Sequence, residues 1–122
     1  MLSISEVGDI LDRLAEELPP EFYRDLSGGI LLVPEAKHSQ YSDELVTLGE
    51  YSVSQSGRMI KIYYGSFEKL YGWMNEEQLT EELREVLRHE FTHHIESLAG
   101  EGGLEIKDEE QLRRFFEKKT RT

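Results

Sequence analysis

The residue types and spacing best suited to chemistry occur in one short stretch, His89-Glu90-Phe91-Thr92-His93-His94. It contains the pattern HExxH, followed by a further histidine. Residues four apart lie on one face of a helix, so His89 and His93 can both reach one metal ion while Glu90 lies beside them. The pattern therefore predicts a zinc site with these two imidazoles as ligands.

The chemistry expected of such a site is hydrolysis. A catalytic zinc ion is held by three protein side chains and keeps a fourth position for water, whose pKa falls toward neutrality. A carboxylate directly after the first histidine can take the proton of that water as it attacks a carbonyl, and Glu90 has this position. The alternative is a polar helix face that carries His89 and His93 without a metal.

The third zinc ligand is expected beyond Gly100, where the chain turns back. Glu96 is a weaker choice, because three positions after His93 on the helix its side chain points away from the metal edge. Asp108 has an alternative role as the N-cap of a following helix. Spacing alone does not choose among the carboxylates available after the turn, which are Glu101, Glu105 and Asp108.

The other two histidines have different predicted environments. His94 lies about 100° around the helix from His93, near the centre of the apolar face. We expect it to be a buried neutral histidine that hydrogen-bonds the backbone or supports a ligand, and not a ligand itself. His38 lies in a polar segment and is expected to be solvated.

The elements that position the motif follow from capping residues and hydrophobic spacing. Two capping boxes, Ser3 with Glu6 and Asn75 with Gln78, introduce amphipathic patterns, and Asp108 opens a third. Gly49 weakens one predicted strand, and Ser66 is expected to cap a short helical turn. Helices are predicted over residues 4–18, 75–100 and 108–119. Strands are predicted over residues 30–33, 46–54 and 58–64, with a loop over 35–44 and a hairpin turn at 55–57.

Length and composition limit the possibilities further. At 122 residues the chain is expected to form a single domain, residues 1–122, of the α/β (α+β) class. Its net charge of −11 argues against nucleic acid and anionic lipid surfaces as partners. It has no cysteine, so metal ligands must be imidazoles and carboxylates, and cytoplasmic residence is expected. No signal peptide or membrane-spanning segment is predicted.

The run from His89 to Gly100, followed by Leu104-Glu105-Ile106-Lys107-Asp108, resembles the small bacterial zincin-like metallopeptidases, which are minimal zinc peptidase domains with an HExxHH motif. Residues 30–34, 48–51 and 62–67 extend the likeness over most of the chain. The resemblance implies a zincin-like fold, with a small twisted sheet of about three strands against an N-terminal helix and the motif helix. It also implies zinc ligation by His89 and His93, and a catalytic base at Glu90.

The resemblance also bears on the third ligand. Members of the family place a glycine three residues after the second motif histidine and an aspartate ligand three residues further. Glu96 and Ala99 stand at these positions here. With an insertion in the turn, Ile106-Lys107-Asp108 matches the stretch that ends in the family's aspartate. Asp108 is therefore the first choice, and Glu105 the second.

These observations predict a zinc-dependent metallopeptidase of the bacterial cytoplasm that hydrolyses a peptide or protein substrate. The substrate is expected to add to an exposed strand edge beside the cleft. Tyr63 and Tyr64 are candidates to stabilise the oxyanion, although both are more simply explained as strand aromatics. The alternatives are a catalytically silent zincin-like binding or scaffold module with a structural metal, and a metal-free acidic interaction domain.

Overall fold

A computed structural model of the chain describes residues 1–42 and 44–100. This part contains three α-helices, a short 3₁₀ helix at Pro20–Tyr23 and five strands, so the α+β class is confirmed. The helices are α1 (Ile4–Glu16), α2 (Tyr64–Tyr71) and α3 (Glu76–Gly100). The strands are β1 (Gly29–Val33), β2 (Lys37–His38), β3 (Val46–Thr47), β4 (Gly49–Ser54) and β5 (Gly57–Tyr63). The predicted C-terminal helix lies outside the described residues.

Both predicted capping boxes that fall within the described residues are confirmed. The Ser3 hydroxyl accepts the N–H of Glu6 at 3.1 Å, and the Glu6 carboxylate accepts the N–H of Ser3 at 3.0 Å. Asn75 and Gln78 make the same reciprocal pair at 2.8 and 3.1 Å. These bonds satisfy backbone donors that the first turn of a helix leaves without partners. They therefore set the start of α1 and of the motif helix α3.

The main sheet has three strands in the order β1-β5-β4, with β1 parallel and β4 antiparallel to β5. The number of strands, three, agrees with the prediction. The predicted strand 46–54, however, is not continuous. It divides at Leu48, and β3 pairs with β2 in a separate two-stranded ladder. The predicted loop 35–44 thus contains a short strand. Pairing over two residues has no detectable hydrophobic period, which is why the sequence pattern missed it.

The prediction that Ser66 caps a helical turn is wrong. α2 already begins at Tyr64, and Ser66 lies inside it, with its side chain fully buried. The Ser66 hydroxyl instead accepts the backbone N–H of Lys37 at 3.0 Å. A hydroxyl that serves a distant strand leaves no local signal in the sequence, so the start of α2 was misplaced.

One core unites the sheet with α1 and α3. Ile60 and Ile62 of β5 are completely buried, and the Phe22 and Phe91 rings pack with centroids 6.2 Å apart. Burying each such side chain contributes about 1.5–3 kcal/mol. The remaining core side chains of the two helices are Val7, Ile10, Leu11, Leu14, Leu79, Leu83, Leu87, Ile95 and Leu98. The core holds α3 along β4, and no helix within residues 1–42 and 44–100 is long and apolar enough to cross a membrane.

Candidate metal centre

The motif residues of α3 divide between the surface and the core. His89 and His93 are exposed, whereas Glu90 is 6% exposed and His94 is completely buried. The division follows from helical geometry, because Glu90 and His94 lie on the side of α3 that faces the sheet. The helix therefore presents two imidazoles to solvent directly beside a buried carboxylate.

The two exposed imidazoles converge on each other. The Nε2 atoms of His89 and His93 lie 3.1 Å apart, and the rings are nearly perpendicular, at 88°. Zinc holds imidazole nitrogens at 2.0–2.1 Å in tetrahedral geometry, which places two of them about 3.3 Å apart. The pair thus fits two positions of a zinc site with little adjustment. A hydrogen bond between the two rings is also compatible with this distance.

The second ring nitrogen of His93 faces a carboxylate. Its Nδ1 atom lies 3.9 Å from Oε2 of Glu96, too far for a hydrogen bond but close enough for electrostatic attraction. Metal-binding histidines commonly direct their second nitrogen toward such a partner. Glu96 lies against Nδ1, while Nε2 is directed at His89.

Glu90 lies under the edge of β4. Burial raises the pKa of its carboxyl group. The positive charges that His89 and His93 carry when protonated oppose this rise, while the negative charge of Glu50 adds to it. A carboxylate whose pKa is raised by burial is a stronger base once it is ionised.

The close approach of β4 to α3 explains a glycine that seemed out of place in a strand. A Cβ atom at Gly49 would lie 2.6 Å from Cγ1 of Val86 and 3.3 Å from Oε2 of Glu90. A side chain at this position would therefore have to displace the side chain of Val86. Glycine lets β4 approach the motif this closely, and strand propensity alone does not predict such a contact.

An open cleft runs along this contact. Two pockets with volumes of about 660 and 450 Å³ share Gly49, His89 and Glu90 in their walls. The larger pocket is also lined by Thr47, Glu50, Tyr51, His93, Glu96 and Ser97. The smaller pocket is also lined by Val46, Leu48, Glu82, Glu85 and Val86. The paired imidazoles and the buried carboxylate therefore face one accessible space.

The backbone of β4 presents hydrogen-bonding groups to the same cleft. The N–H of Tyr63 donates to the carbonyl of Leu48 at 2.9 Å, which sets the alternation of the antiparallel ladder. By that alternation, Gly49, Tyr51 and Val53 direct their backbone groups away from β5. No strand in the described part of the chain pairs with this edge. The edge can thus accept an added extended segment.

The two tyrosines considered for an oxyanion role have other partners. The Tyr63 hydroxyl donates to Oε1 of Glu50 at 3.1 Å, and the Tyr64 hydroxyl donates to the carbonyl of Leu2 at 2.6 Å. Neither tyrosine lines the cleft. Lys37 also donates to Glu50, and chiefly for that reason the pKa of this carboxyl lies below its usual range. Glu50 is thus held ionised at the rim of the cleft.

The predicted burial of His94 is confirmed. Its Nε2 atom lies 2.8 Å from the carbonyl oxygen of Arg24, and its Nδ1 atom lies 2.8 Å from the Tyr51 hydroxyl. Burial lowers the pKa of His94, although the bond to Arg24 acts in the opposite direction. His38 is exposed, as expected for a solvated side chain. Sequence reasoning missed Tyr51, because its contacts depend on strand register and leave no local pattern.

The described residues supply only part of the predicted ligand set. Within residues 1–42 and 44–100, no group of three or more histidine, aspartate or glutamate side chains is arranged to hold a metal ion. The predicted third ligand, Asp108, and its alternatives lie outside the described residues. His89 and His93 are therefore the two predicted ligands that lie within the described residues.

These features define an α+β protein whose HExxH helix lies against the edge of a small sheet. A similar solved structure is that of a conserved hypothetical protein from Thermus thermophilus, with 35% sequence identity and a TM-score of 0.71. The match covers 81% of this chain and 99% of that protein. The chain belongs to the same family as this protein. No family model matches the chain, and neither does any curated protein.

Proposed function

We propose that this protein is a zinc-dependent metallopeptidase of the zincin-like type. His89, His93 and Asp108 would hold Zn²⁺, and Glu90 would act as general base. The observation that carries the proposal is the 3.1 Å approach of the His89 and His93 Nε2 atoms beside the buried carboxylate of Glu90. Two solvent-facing imidazoles directed at one point, next to a base, match what metal-assisted hydrolysis requires.

The roles of the chain's own groups follow from their positions. Bound zinc would supply Lewis acidity, which lowers the pKa of water and polarises a carbonyl. Glu90 would take one proton from the attacking water and later deliver it to the amine that leaves when the peptide bond breaks. The backbone N–H of Tyr51 favours the ionised form of the Glu90 carboxylate.

The cleft supports a peptide as the substrate class. An extended peptide can add to the edge of β4 through the outward backbone groups of Gly49 and Val53. Such pairing holds the main chain without demanding particular side chains. The acidic balance of the chain, with a net charge of −11, argues against nucleic acid. A zincin-like fold and a bacterial cytoplasmic location belong to the same proposal.

The test is digestion of a peptide library by zinc-loaded protein, compared with the Glu90→Gln variant. Removing a general base is expected to reduce kcat about 10²- to 10⁴-fold. Zinc content should be unchanged, because Glu90 is not a ligand. Glu77→Gln is the matched control, since it makes the same change at an exposed position in the first turn of α3 and should cleave like wild type.

The possible outcomes separate the competing functions. Cleavage by wild type that persists in Glu90→Gln would contradict the proposed base. Equal zinc binding by both proteins, with no cleavage by either, would indicate the binding or scaffold module with a structural metal. If neither wild type nor Glu90→Gln binds zinc, the result would indicate the metal-free acidic interaction domain.

A further inference from the structure

The third histidine of the motif, His94, has no role in the HExxH pattern, yet both of its ring nitrogens have partners. The carbonyl of Arg24, 2.8 Å from Nε2, can only accept a hydrogen bond, so Nε2 carries the proton. Nδ1 is then an acceptor for the Tyr51 hydroxyl, also at 2.8 Å. The two contacts select one neutral tautomer and leave no direct contact with a ligand.

Tyr51 connects His94 to the proposed base. Its hydroxyl donates to His94, and the backbone of its strand lies against the carboxylate of Glu90, since a Cβ atom at Gly49 would be 3.3 Å from Oε2 of Glu90. Glu90 and His94 lie one turn apart on α3, so β4 contacts two successive turns of the motif helix. The Tyr51 and His94 rings also pack with centroids 5.3 Å apart.

This double attachment lies where strand and helix are closest. Gly49 lines the cleft and has no side chain, so β4 can come close to Val86 and Glu90. A small shift of the strand edge would therefore move the backbone against which the Glu90 carboxylate packs. An error of about 1 Å in the placement of a catalytic group can cost about a hundredfold in rate.

We propose that His94 and Tyr51 are positioning residues for Glu90. His94 holds the Tyr51 hydroxyl, the hydroxyl fixes the edge of β4, and that edge, at Gly49, fixes the Glu90 carboxylate over the cleft. The inference rests on the proposed function, because it assigns the third histidine of the motif to the alignment of the proposed base. An apolar residue cannot replace His94, since the Arg24 carbonyl and the Tyr51 hydroxyl would both lose a partner.

The variants that test the proposal are Tyr51→Phe, His94→Leu and His94→Gln. Tyr51→Phe removes one hydroxyl and keeps the ring. His94→Gln retains a donor and an acceptor on neighbouring atoms, so it should rescue part of what His94→Leu loses. Tyr23→Phe is the matched control, because the Tyr23 hydroxyl makes a comparable bond at 2.5 Å to the Ala15 carbonyl, away from the cleft.

The kinetic readout uses the zinc-loaded full chain. Tyr51→Phe and His94→Leu are each expected to lower kcat about tenfold, with KM and zinc content unchanged. The double variant should lose no more than either single variant, because both act through one chain of contacts. Additive losses, or a loss equalled by Tyr23→Phe, would overturn the positioning role.

The second readout needs no activity. In zinc-free protein, Tyr51→Phe should increase hydrogen exchange of the Glu50 and Ser52 amides, which pair with β5, about tenfold, and Tyr23→Phe should leave it unchanged. Unchanged exchange would overturn the proposal even if the protein cleaves peptides. If wild type cleaves none, the proposed function fails, and the exchange result still decides whether Tyr51 and His94 position Glu90. If His94→Leu does not fold, Tyr51→Phe alone supplies both the kinetic measurement and the hydrogen-exchange measurement.

Discussion

The Nε2 atoms of His89 and His93 lie 3.1 Å apart on successive turns of α3. Two residues of the same motif, Glu90 and His94, turn the other way and are buried against the sheet. The motif thus has a solvent-facing side with two imidazoles and a side that fastens the helix to β4. This division gives testable roles to the paired histidines, to Glu90 and to His94.

The contact between Gly49 and α3 predicts a steric effect. Gly49→Ala should lower the free energy of unfolding by about 1–3 kcal/mol and reduce cleavage, because the added Cβ meets Val86 and Glu90. Adding Val86→Ala to the Gly49→Ala variant should relieve the closest clash and restore part of the free energy of unfolding and part of the cleavage. Chemical denaturation and peptide assays measure the two effects.

Gly8→Ala is the control for that change. A Cβ at Gly8 meets only Leu32, at 3.8 Å, and lies within α1, where alanine is favoured by about 1 kcal/mol. This variant should be at least as stable as wild type. A Gly49→Ala protein with wild-type stability would show that β4 and α3 are not in the close contact described.

An ion pair between α1 and α3 predicts a smaller effect. The Arg84 guanidinium donates through two nitrogens to both oxygens of Glu17, each at 2.9 Å. Arg84→Lys cannot keep this two-pronged geometry and should lower the free energy of unfolding by about 0.5–1 kcal/mol, less in high salt. Arg13→Lys, at an exposed position of α1, is the control. Equal denaturation midpoints for the two variants would contradict a stabilising role for the pair.

The buried state of His94 predicts a pH dependence. Because burial lowers its pKa in the folded protein, the unfolded chain takes up the proton first as pH falls through about 6.5. The stability that the folded protein has with a neutral, buried His94 is therefore complete above about pH 6.5 and is lost below it. Urea unfolding of zinc-free protein should show the decline, and His94→Gln should show a shallower one. Coinciding pH profiles would contradict a neutral His94.

The two roles considered for Asp108 can be separated by one substitution. Asparagine caps helices about as well as aspartate but is a poorer zinc ligand, because it carries no charge. Asp108→Asn should weaken zinc binding at least tenfold with little change in helix content. Glu105→Gln and Glu101→Gln test the alternative ligands in the same titration. Unchanged zinc affinity in Asp108→Asn, with a loss in Glu105→Gln, would transfer the assignment to Glu105.

Local chemistry accounts for what could be predicted from the sequence. The capping pairs that begin α1 and α3 are visible because both partners lie within one turn, and the burial of His94 follows from helical spacing. The division of the predicted second strand, the burial of Ser66 and the bonds of Tyr51 depend on partners far along the chain. The strand breaks at Leu48, beside the glycine that was expected to weaken it, but the close contact of Gly49 with α3 leaves no signal in strand propensity.

The most direct test of the account is a zinc titration of the full chain and of His89→Ala and His93→Ala, followed through bound-metal content. The account predicts one zinc ion bound by wild type and an affinity at least tenfold lower in each variant. His38→Ala, which changes an exposed histidine outside the cleft, should bind like wild type. A wild-type protein that binds no zinc, or binds it equally well after His89→Ala, would contradict the central claim.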